Sequence, residues 1–123
     1  MILYHTTNKK LTKLIPQFGP TRHEAEDFGS IGKKVIFLST TKMLRSTGEG
    51  LQRYCYSVSI NDSDPLLKKD EDFSNGSNAC QKYFCDSTKI GTEWYYYECE
   101  ELDIIETYEF DELANDFVKI DNF

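Results

Sequence analysis

The chain has 123 residues, 39% of them hydrophobic and 14% aromatic, with a formal net charge of −7. This length and apolar content predict one folded domain over residues 1–123, not a disordered acidic tail. The charge disfavours nucleic acid as a partner, and no run approaches the ~20 apolar residues of a membrane span, so with no signal peptide ahead of the first strand we expect a cytoplasmic protein.

The first predicted element is a strand over residues 1–7 that runs from apolar side chains into an imidazole and hydroxyls. Period-2 alternation puts Leu3 and His5 on one face and Tyr4 and Thr6 on the other. Polar groups at the end of a strand can bind a ligand without being buried unpaired. The competing interpretation is a partly exposed histidine that binds nothing.

Helical spacing of apolar residues predicts one short turn at 11–15, which Pro16 ends. Residues 16–34 form a loop rich in Gly and Pro, and a loop of this length in a small domain is either functional or mobile. Its charged run at 22–27 is a solvated segment or a lid over a cleft.

A second apolar strand over 35–40 also ends in hydroxyls. We expect a short helix after it, capped by Thr40 or Thr41 and carrying Met43 and Leu44.

The middle of the chain predicts three further strands. Residues 53–60 alternate cleanly and end in a turn at 61–65, after which residues 66–91 are polar and irregular. Aromatic and β-branched residues predict strands over 92–97 and 102–108.

The last segment predicts an amphipathic helix. Its apolar residues follow the spacing i, i+3, i+4, i+7, i+8 over 110–118. Together with the strands, this helix indicates an α+β domain.

The four cysteines predict reduced thiols, since nothing indicates secretion. Cys80 and Cys85 stand in a C-x4-C arrangement with no neighbouring His, which lacks the tight spacing of a structural zinc site. Cys55 lies in a strand and is expected to be a small packing residue. No metal site is therefore expected.

Four segments, taken in chain order, carry a family pattern: Tyr4-His5-Thr6, Ile36-Phe37-Leu38-Ser39, Tyr54 to Asp64, and Gly91-Thr92 through Ile104-Ile105. In this order they resemble the ADP-ribosyltransferase family, and most of all its small branch, which includes rifampin and phage anti-CRISPR ADP-ribosyltransferases. The resemblance implies an α+β fold with two small antiparallel or mixed sheets around a nucleotide cleft and short flanking helices.

The resemblance also implies a chemistry. Such enzymes cleave the nicotinamide–ribose bond of NAD through an oxocarbenium-like centre. Carried over to this chain, His5 holds the adenosine ribose with Thr6 and Tyr4 beside it. Phe37 stacks on the nicotinamide, and Ser39 supports the pocket wall.

Three carboxylates are candidates for the catalytic acid. In the rifampin-type branch the acid follows the Tyr-rich strand, which points to Asp64 or Asp62. In the larger classes it is a Glu on a later strand, which points to Glu93. The competing interpretation of Asp62 and Asp64 is that they cap the turn before Pro65.

The resemblance implies a mono-ADP-ribosyltransferase that modifies a protein or small molecule, as a phage or bacterial anti-defence effector. One alternative is a non-catalytic module of the same fold that sequesters an ADP-ribose-like or cyclic nucleotide. It is motivated by Phe37 in place of the family's usual Tyr. A further alternative is an acidic interaction or inhibitor protein, motivated by the net charge of −7.

Overall fold

The computed structural model describes residues 1–18, 34–44, 46–47, 50–69, 92–98 and 100–123. The regular structure of these residues is all β. The strands are β1 (Ile2–Thr7), β2 (Lys13–Leu14), β3 (Gln17–Phe18), β4 (Lys34–Ser39), β5 (Ser46–Thr47), β6 (Gly50–Leu51), β7 (Tyr54–Ser59), β8 (Leu67–Lys69), β9 (Trp94–Glu98), β10 (Leu102–Asp103), β11 (Glu106–Asp111) and β12 (Asp116–Ile120).

The predicted α+β class is wrong, because the described residues contain no helix. Residues 11–15 include the short strand β2, which pairs with β10, and residues 41–44 have no regular secondary structure. The arrangement implied by the resemblance is also wrong, since one large antiparallel sheet replaces two small sheets around a cleft. The charged run at 22–27 and Cys80 and Cys85 lie outside the described residues.

The predicted closing helix at 110–118 is instead the β11–β12 hairpin. Phe110 pairs with Phe117 across the hairpin, and their rings are 5.6 Å apart edge to face. The turn places Asn115 at φ 52°, a left-handed conformation that asparagine tolerates. Leu113, which the helical pattern would bury, is 98% exposed at the tip. Seven-residue spacing therefore arises here from a cross-strand pair rather than from two helical turns.

The main sheet has the strand order β12-β11-β7-β1-β4-β9-β8, and β3 also pairs with β4. Every pair in it is antiparallel. Two small sheets, β10–β2 and β5–β6, complete the described strands. The innermost position of the main sheet belongs to β1, between β7 and β4.

The strands β1 and β4 separate after a short ladder, at a point that we call the fork. Tyr4 pairs with Ser39, whereas farther along β4 the partner is β3, with Gln17 opposite Val35. Both partners use the same edge of β4, because β9 occupies the other edge. At the fork, a side chain of β1 hydrogen-bonds to the main chain of β4.

One side of the sheet, the core face, carries the hydrophobic core. Residues directly opposite each other in a ladder share a face, so the registers assign these side chains to one side. The main-sheet residues of this core are Leu3, Ile36, Leu38, Tyr56, Val58 and Tyr97, and Leu14 of β2 and Ile60 after β7 belong to the same buried cluster.

The other side of the sheet, the second face, also buries its centre. Thr6, Ser39, Cys55 and Ser57 are at most 9% exposed there. Half-buried aromatic side chains surround these small residues: Tyr4, Phe37, Trp94, Tyr96 and Tyr108. Within the described ranges, no helix has the length and apolar content needed to cross a membrane.

Candidate functional site

His5 lies at the fork, on the core face opposite Tyr56. Its Nδ1 is 2.7 Å from the main-chain oxygen of Phe37. A carbonyl oxygen can only accept, so Nδ1 carries the proton and donates to it. In the neutral imidazole this leaves Nε2 as the acceptor nitrogen. The main chain of β4 therefore fixes the orientation of the His5 ring.

The phenyl ring of Phe37 lies on the second face, because Phe37 is opposite Tyr96 and two residues from Ser39, the partner of Tyr4. The imidazole of His5 lies on the core face. These two side chains, implied to hold one dinucleotide, thus lie on opposite sides of the sheet. The His5 ring contacts Phe37 through its main-chain oxygen.

The other side chains assigned to the same pocket also lie on the second face. Thr6 is 9% exposed and Ser39 2%. The Ser39 hydroxyl donates to the Thr41 carbonyl at 2.8 Å, a contact that closes the turn after β4. Burial raises the pKa of Tyr4, whose ring packs edge to face against Tyr108.

The carboxylates of Asp62 and Asp64 have structural partners. Asp64 accepts the Leu66 amide at 2.9 Å through one oxygen and the Tyr97 hydroxyl at 2.9 Å through the other. Burial, and then this bond to Asp64, raise the pKa of Tyr97 to about 12. Asp62 lies 3.4 Å from the amino group of Met1. The interpretation of Asp64 as a turn cap is confirmed.

Glu93 stands immediately before β9. Its amide donates to the Thr40 hydroxyl at 2.9 Å, and its carbonyl accepts the Thr40 amide at 3.0 Å. The Tyr95 hydroxyl donates to one carboxylate oxygen at 2.9 Å, and Lys69 Nζ lies 3.5 Å from the other. The carboxylate is therefore anchored by neighbouring strands while its side chain remains 48% exposed.

His5 and Glu93 belong to the same face of the sheet. Tyr95, which holds the Glu93 carboxylate, is opposite Leu38, and Leu38 belongs to the core cluster with Tyr56, the partner of His5. His5 lies on β1 and Glu93 stands immediately before β9, and β1 and β9 are the strands that flank β4.

Hydroxyl groups tie the end of β4 to the residues before β9. Thr41 Oγ1 and Thr92 Oγ1 are 2.8 Å apart and share a hydrogen bond, next to the bond from the Glu93 amide to Thr40. Thr92 is 7% exposed. The cluster of hydroxyls noted in the sequence therefore positions Glu93 through its main chain.

A cationic cluster on the second face has no counterpart in the sequence analysis. Lys42 Nζ lies 4.4 Å from the ring centre of Tyr108 and 5.6 Å from that of Tyr4. Tyr108 donates its hydroxyl to Glu106, which lowers the pKa of that carboxyl, while burial raises the pKa of Tyr108. Lys119 Nζ lies 3.3 Å from Glu106. The contacts of Lys42 with the two tyrosine rings connect the segment after β4 to β1 and β11.

An open depression of about 420 Å³ lies on the β11–β12 hairpin. Arg53, 2.7 Å from Glu112, lines it together with Phe110 and Val118. None of the candidate site residues lines this depression.

Two residues of the site, Tyr95 and Lys69, were missed by sequence reasoning. In β9, Tyr95 and Tyr97 lie on the core face. The contact with Lys69 depends on the pairing of β8 with β9. The polar and irregular segment 66–91 did not predict a strand at this position.

In the part of the chain that the structure describes, no group of three His, Cys, Asp or Glu side chains is placed to hold a metal ion. No protein-family model, no curated protein and no solved structure matches the chain.

Proposed function

We propose that the protein uses NAD as a mono-ADP-ribosyltransferase, with His5 and Glu93 as its principal site residues. One observation carries the proposal. An imidazole on β1, fixed by the Phe37 carbonyl, and a carboxylate immediately before β9, fixed by the Tyr95 hydroxyl, belong to the same face of the sheet on either side of β4.

The chemistry gives each group a role. As the nicotinamide–ribose bond breaks, positive charge develops at the anomeric carbon, and a preorganised carboxylate stabilises that charge. Glu93 supplies the carboxylate. His5 contacts a ribose hydroxyl through its ring, whose orientation is fixed by the bond from Nδ1 to the Phe37 carbonyl.

Exposure favours Glu93 over Asp64 as the acid, because Glu93 is exposed and Asp64 is half-buried, although both oxygens of each carboxylate have partners. Asp64 uses both of its oxygens to hold a turn against β9, so a substitution there acts through folding. Asp62 lies beside the amino group of Met1. In this proposal Thr6, Ser39 and Tyr4 support the fork from the second face.

A second candidate, a nucleotide-binding module without catalysis, is favoured by a different observation. Both carboxylate oxygens of Glu93 already have partners within the chain, Tyr95 and Lys69. In addition, the Phe37 ring lies on the face opposite His5. Such a site would hold an ADP-ribose-like or cyclic nucleotide and release it unchanged.

The experiment incubates the full chain with NAD labelled in its adenine and follows nicotinamide release, label transfer and nucleotide binding by calorimetry. We expect His5→Ala and Glu93→Gln to lower nicotinamide release by at least 100-fold, in line with the loss of a preorganised group. Asp103→Asn is the control, because its carboxylate is 94% exposed and lies on β10.

The outcomes separate the candidates. Tight binding of ADP-ribose with no nicotinamide release would support the binding module and overturn the transferase. If NAD and ADP-ribose neither bind nor react, both proposals are excluded, and the acidic interaction protein gains support. We also propose that the activity belongs to the cytoplasm, as that of a phage or bacterial effector.

A further inference from the structure

Lys69 places an amine against the carboxylate of the proposed site. It is the last residue of β8, directly opposite Tyr95 on β9. Its Nζ lies 3.5 Å from one oxygen of Glu93, while Tyr95 donates to the other oxygen. The Lys69 side chain is 35% exposed.

This contact is a weak restraint on the amine. An ion pair between partly exposed side chains is screened by water, and a lysine side chain has a flexible four-carbon stem. The amine can therefore turn from Glu93 toward a ribose bound beside it. The strand pairing keeps it within reach.

We infer that the acceptor of the transferred ADP-ribose is a primary amine, and that Lys69 is an acceptor within the chain itself. This inference rests on the proposed function. An acceptor site for an amine needs a carboxylate that receives the ammonium group next to the anomeric carbon, and the Lys69–Glu93 contact has that form.

The reaction balances without a further reagent. The Lys69 ammonium first loses a proton to solvent, which frees the electron pair on Nζ. The bond from the anomeric carbon of the nicotinamide ribose to the nicotinamide nitrogen breaks, its electron pair stays on nicotinamide, and neutral nicotinamide leaves. Once the nicotinamide has left, the Nζ pair forms a bond to this anomeric carbon, and the resulting secondary ammonium carries the positive charge. Glu93 stabilises the positive charge on the sugar between the two events.

The chain contains a matched control for Lys69. Lys68 is the preceding residue on the same strand, opposite Tyr96, so it lies on the second face and away from Glu93. If only one of the two lysines is modified, the difference arises from the face of the sheet on which it lies, because both belong to the same edge strand.

The experiment incubates the full chain with labelled NAD, locates the label by peptide mass spectrometry, and measures nicotinamide release in parallel. We expect the label on Lys69 in the wild type and in Lys68→Ala. In Lys69→Ala, label on the protein should fall at least tenfold per nicotinamide released. An added simple amine, n-butylamine, should then receive the label.

A second variant and a dilution series complete the test. Lys69→Arg keeps a cation beside Glu93 but offers a poor nucleophile, so it should also remain unlabelled. Because Lys69 and Glu93 belong to one chain, the labelled fraction formed per unit time should not change with protein concentration.

Nicotinamide release with label absent from Lys69, or with equal label on Lys68, would overturn the inference and leave the proposed transferase standing. Absence of nicotinamide release would overturn both.

Discussion

The two faces of the main sheet bury different chemistry. The core face buries large apolar side chains, including Leu38 and Tyr56 at 0% exposure. The second face buries Cys55, Ser57 and Ser39, which are small and mostly polar. Half-buried aromatic side chains surround them. Apolar packing is non-directional, whereas buried hydroxyls need specific partners. We therefore expect the core face to set stability and the second face to set local order.

The candidate site belongs to the margin of the core face. His5 is half-buried at the fork and Glu93 is exposed before β9, while Leu38 between their strands is fully buried. The core thus holds the strands that carry the two polar groups. Substitutions on the two faces test this division.

The largest effect concerns the reactivity of the Cys55 thiol on the second face. Burial raises its pKa to about 12, so at pH 8 the reactive thiolate is scarce, and reagents reach it only when the sheet opens. With Cys80, Cys85 and Cys99 replaced by Ser, thiol labelling should be on the order of 10³-fold slower in buffer than in urea.

The control for this measurement is an exposed position on the same strand and face. Ser59 alternates with Cys55 along β7 and is exposed. Ser59→Cys, in a chain without other cysteines, should label quickly in buffer. Equal rates at the two positions would mean that the second face is open to solvent.

The next effect compares adjacent residues on opposite faces of β4. Leu38→Ala leaves a cavity in the core and should lower the free energy of unfolding by about 2–5 kcal/mol. Phe37→Ala removes a half-buried ring from the second face and should cost less. Urea unfolding measures both, and the reverse ranking would contradict the assignment of the faces.

A smaller effect comes from the hydroxyl of Tyr56. It donates to the Lys9 carbonyl at 2.6 Å and accepts the Leu11 amide at 2.8 Å, which fastens that segment over the core face. Tyr56→Phe leaves both groups without this partner and should lower the free energy of unfolding by about 1–3 kcal/mol. Tyr4→Phe, on the second face, is the comparison and should cost less.

The contribution of the Tyr56 hydroxyl to the free energy of unfolding should depend on pH. Burial raises the pKa of Tyr56 to about 12, above its ordinary value of 10.0. A raised folded-state pKa means that the stabilisation is complete below pH 10.0 and is lost as the pH rises toward about 12. In Tyr56→Phe the fall in unfolding free energy over this range should be shallower than in the wild type.

The smallest effect concerns the Lys42 cation on the second face. Lys42→Met keeps the length of the side chain and removes the charge held between Tyr4 and Tyr108. The loss should be about 0.5–1 kcal/mol in urea unfolding. Lys10→Met removes a cation 5.5 Å from the exposed ring of Phe123 and should change stability less. Equal losses would mean that the second face has no ordering role for Lys42.

Strands with strong local patterns were predictable from the sequence. The predicted strands at 1–7, 35–40 and 53–60 correspond to β1, β4 and β7, because alternation and apolar runs reflect burial on the faces of a sheet. The helices at 11–15 and 110–118 were wrong. Spacing that suits a helix also suits the strand β2, whose partner is the distant β10, and the β11–β12 hairpin, whose two strands pair within the segment.

The sequence indicated individual residues of the site, but it did not indicate how these residues are arranged in space. Asx chemistry before Pro65 correctly suggested that Asp64 caps a turn. The bond from His5 to the Phe37 carbonyl depends on where β1 leaves β4, which is set by the pairing of β3. Likewise, the contact between Lys69 and Glu93 requires a register between distant segments.

The central location of β1 has a consequence for how the chain reaches its native state. Ile2 pairs with Ser59, so the middle of the sheet forms only after a long stretch of polypeptide has closed on itself. Closing such a loop costs entropy before any contact repays it, and all-β chains of this kind fold in milliseconds to seconds. Refolding should therefore be slow for a protein of this size, with β1 and β7 exposed to other chains until they meet.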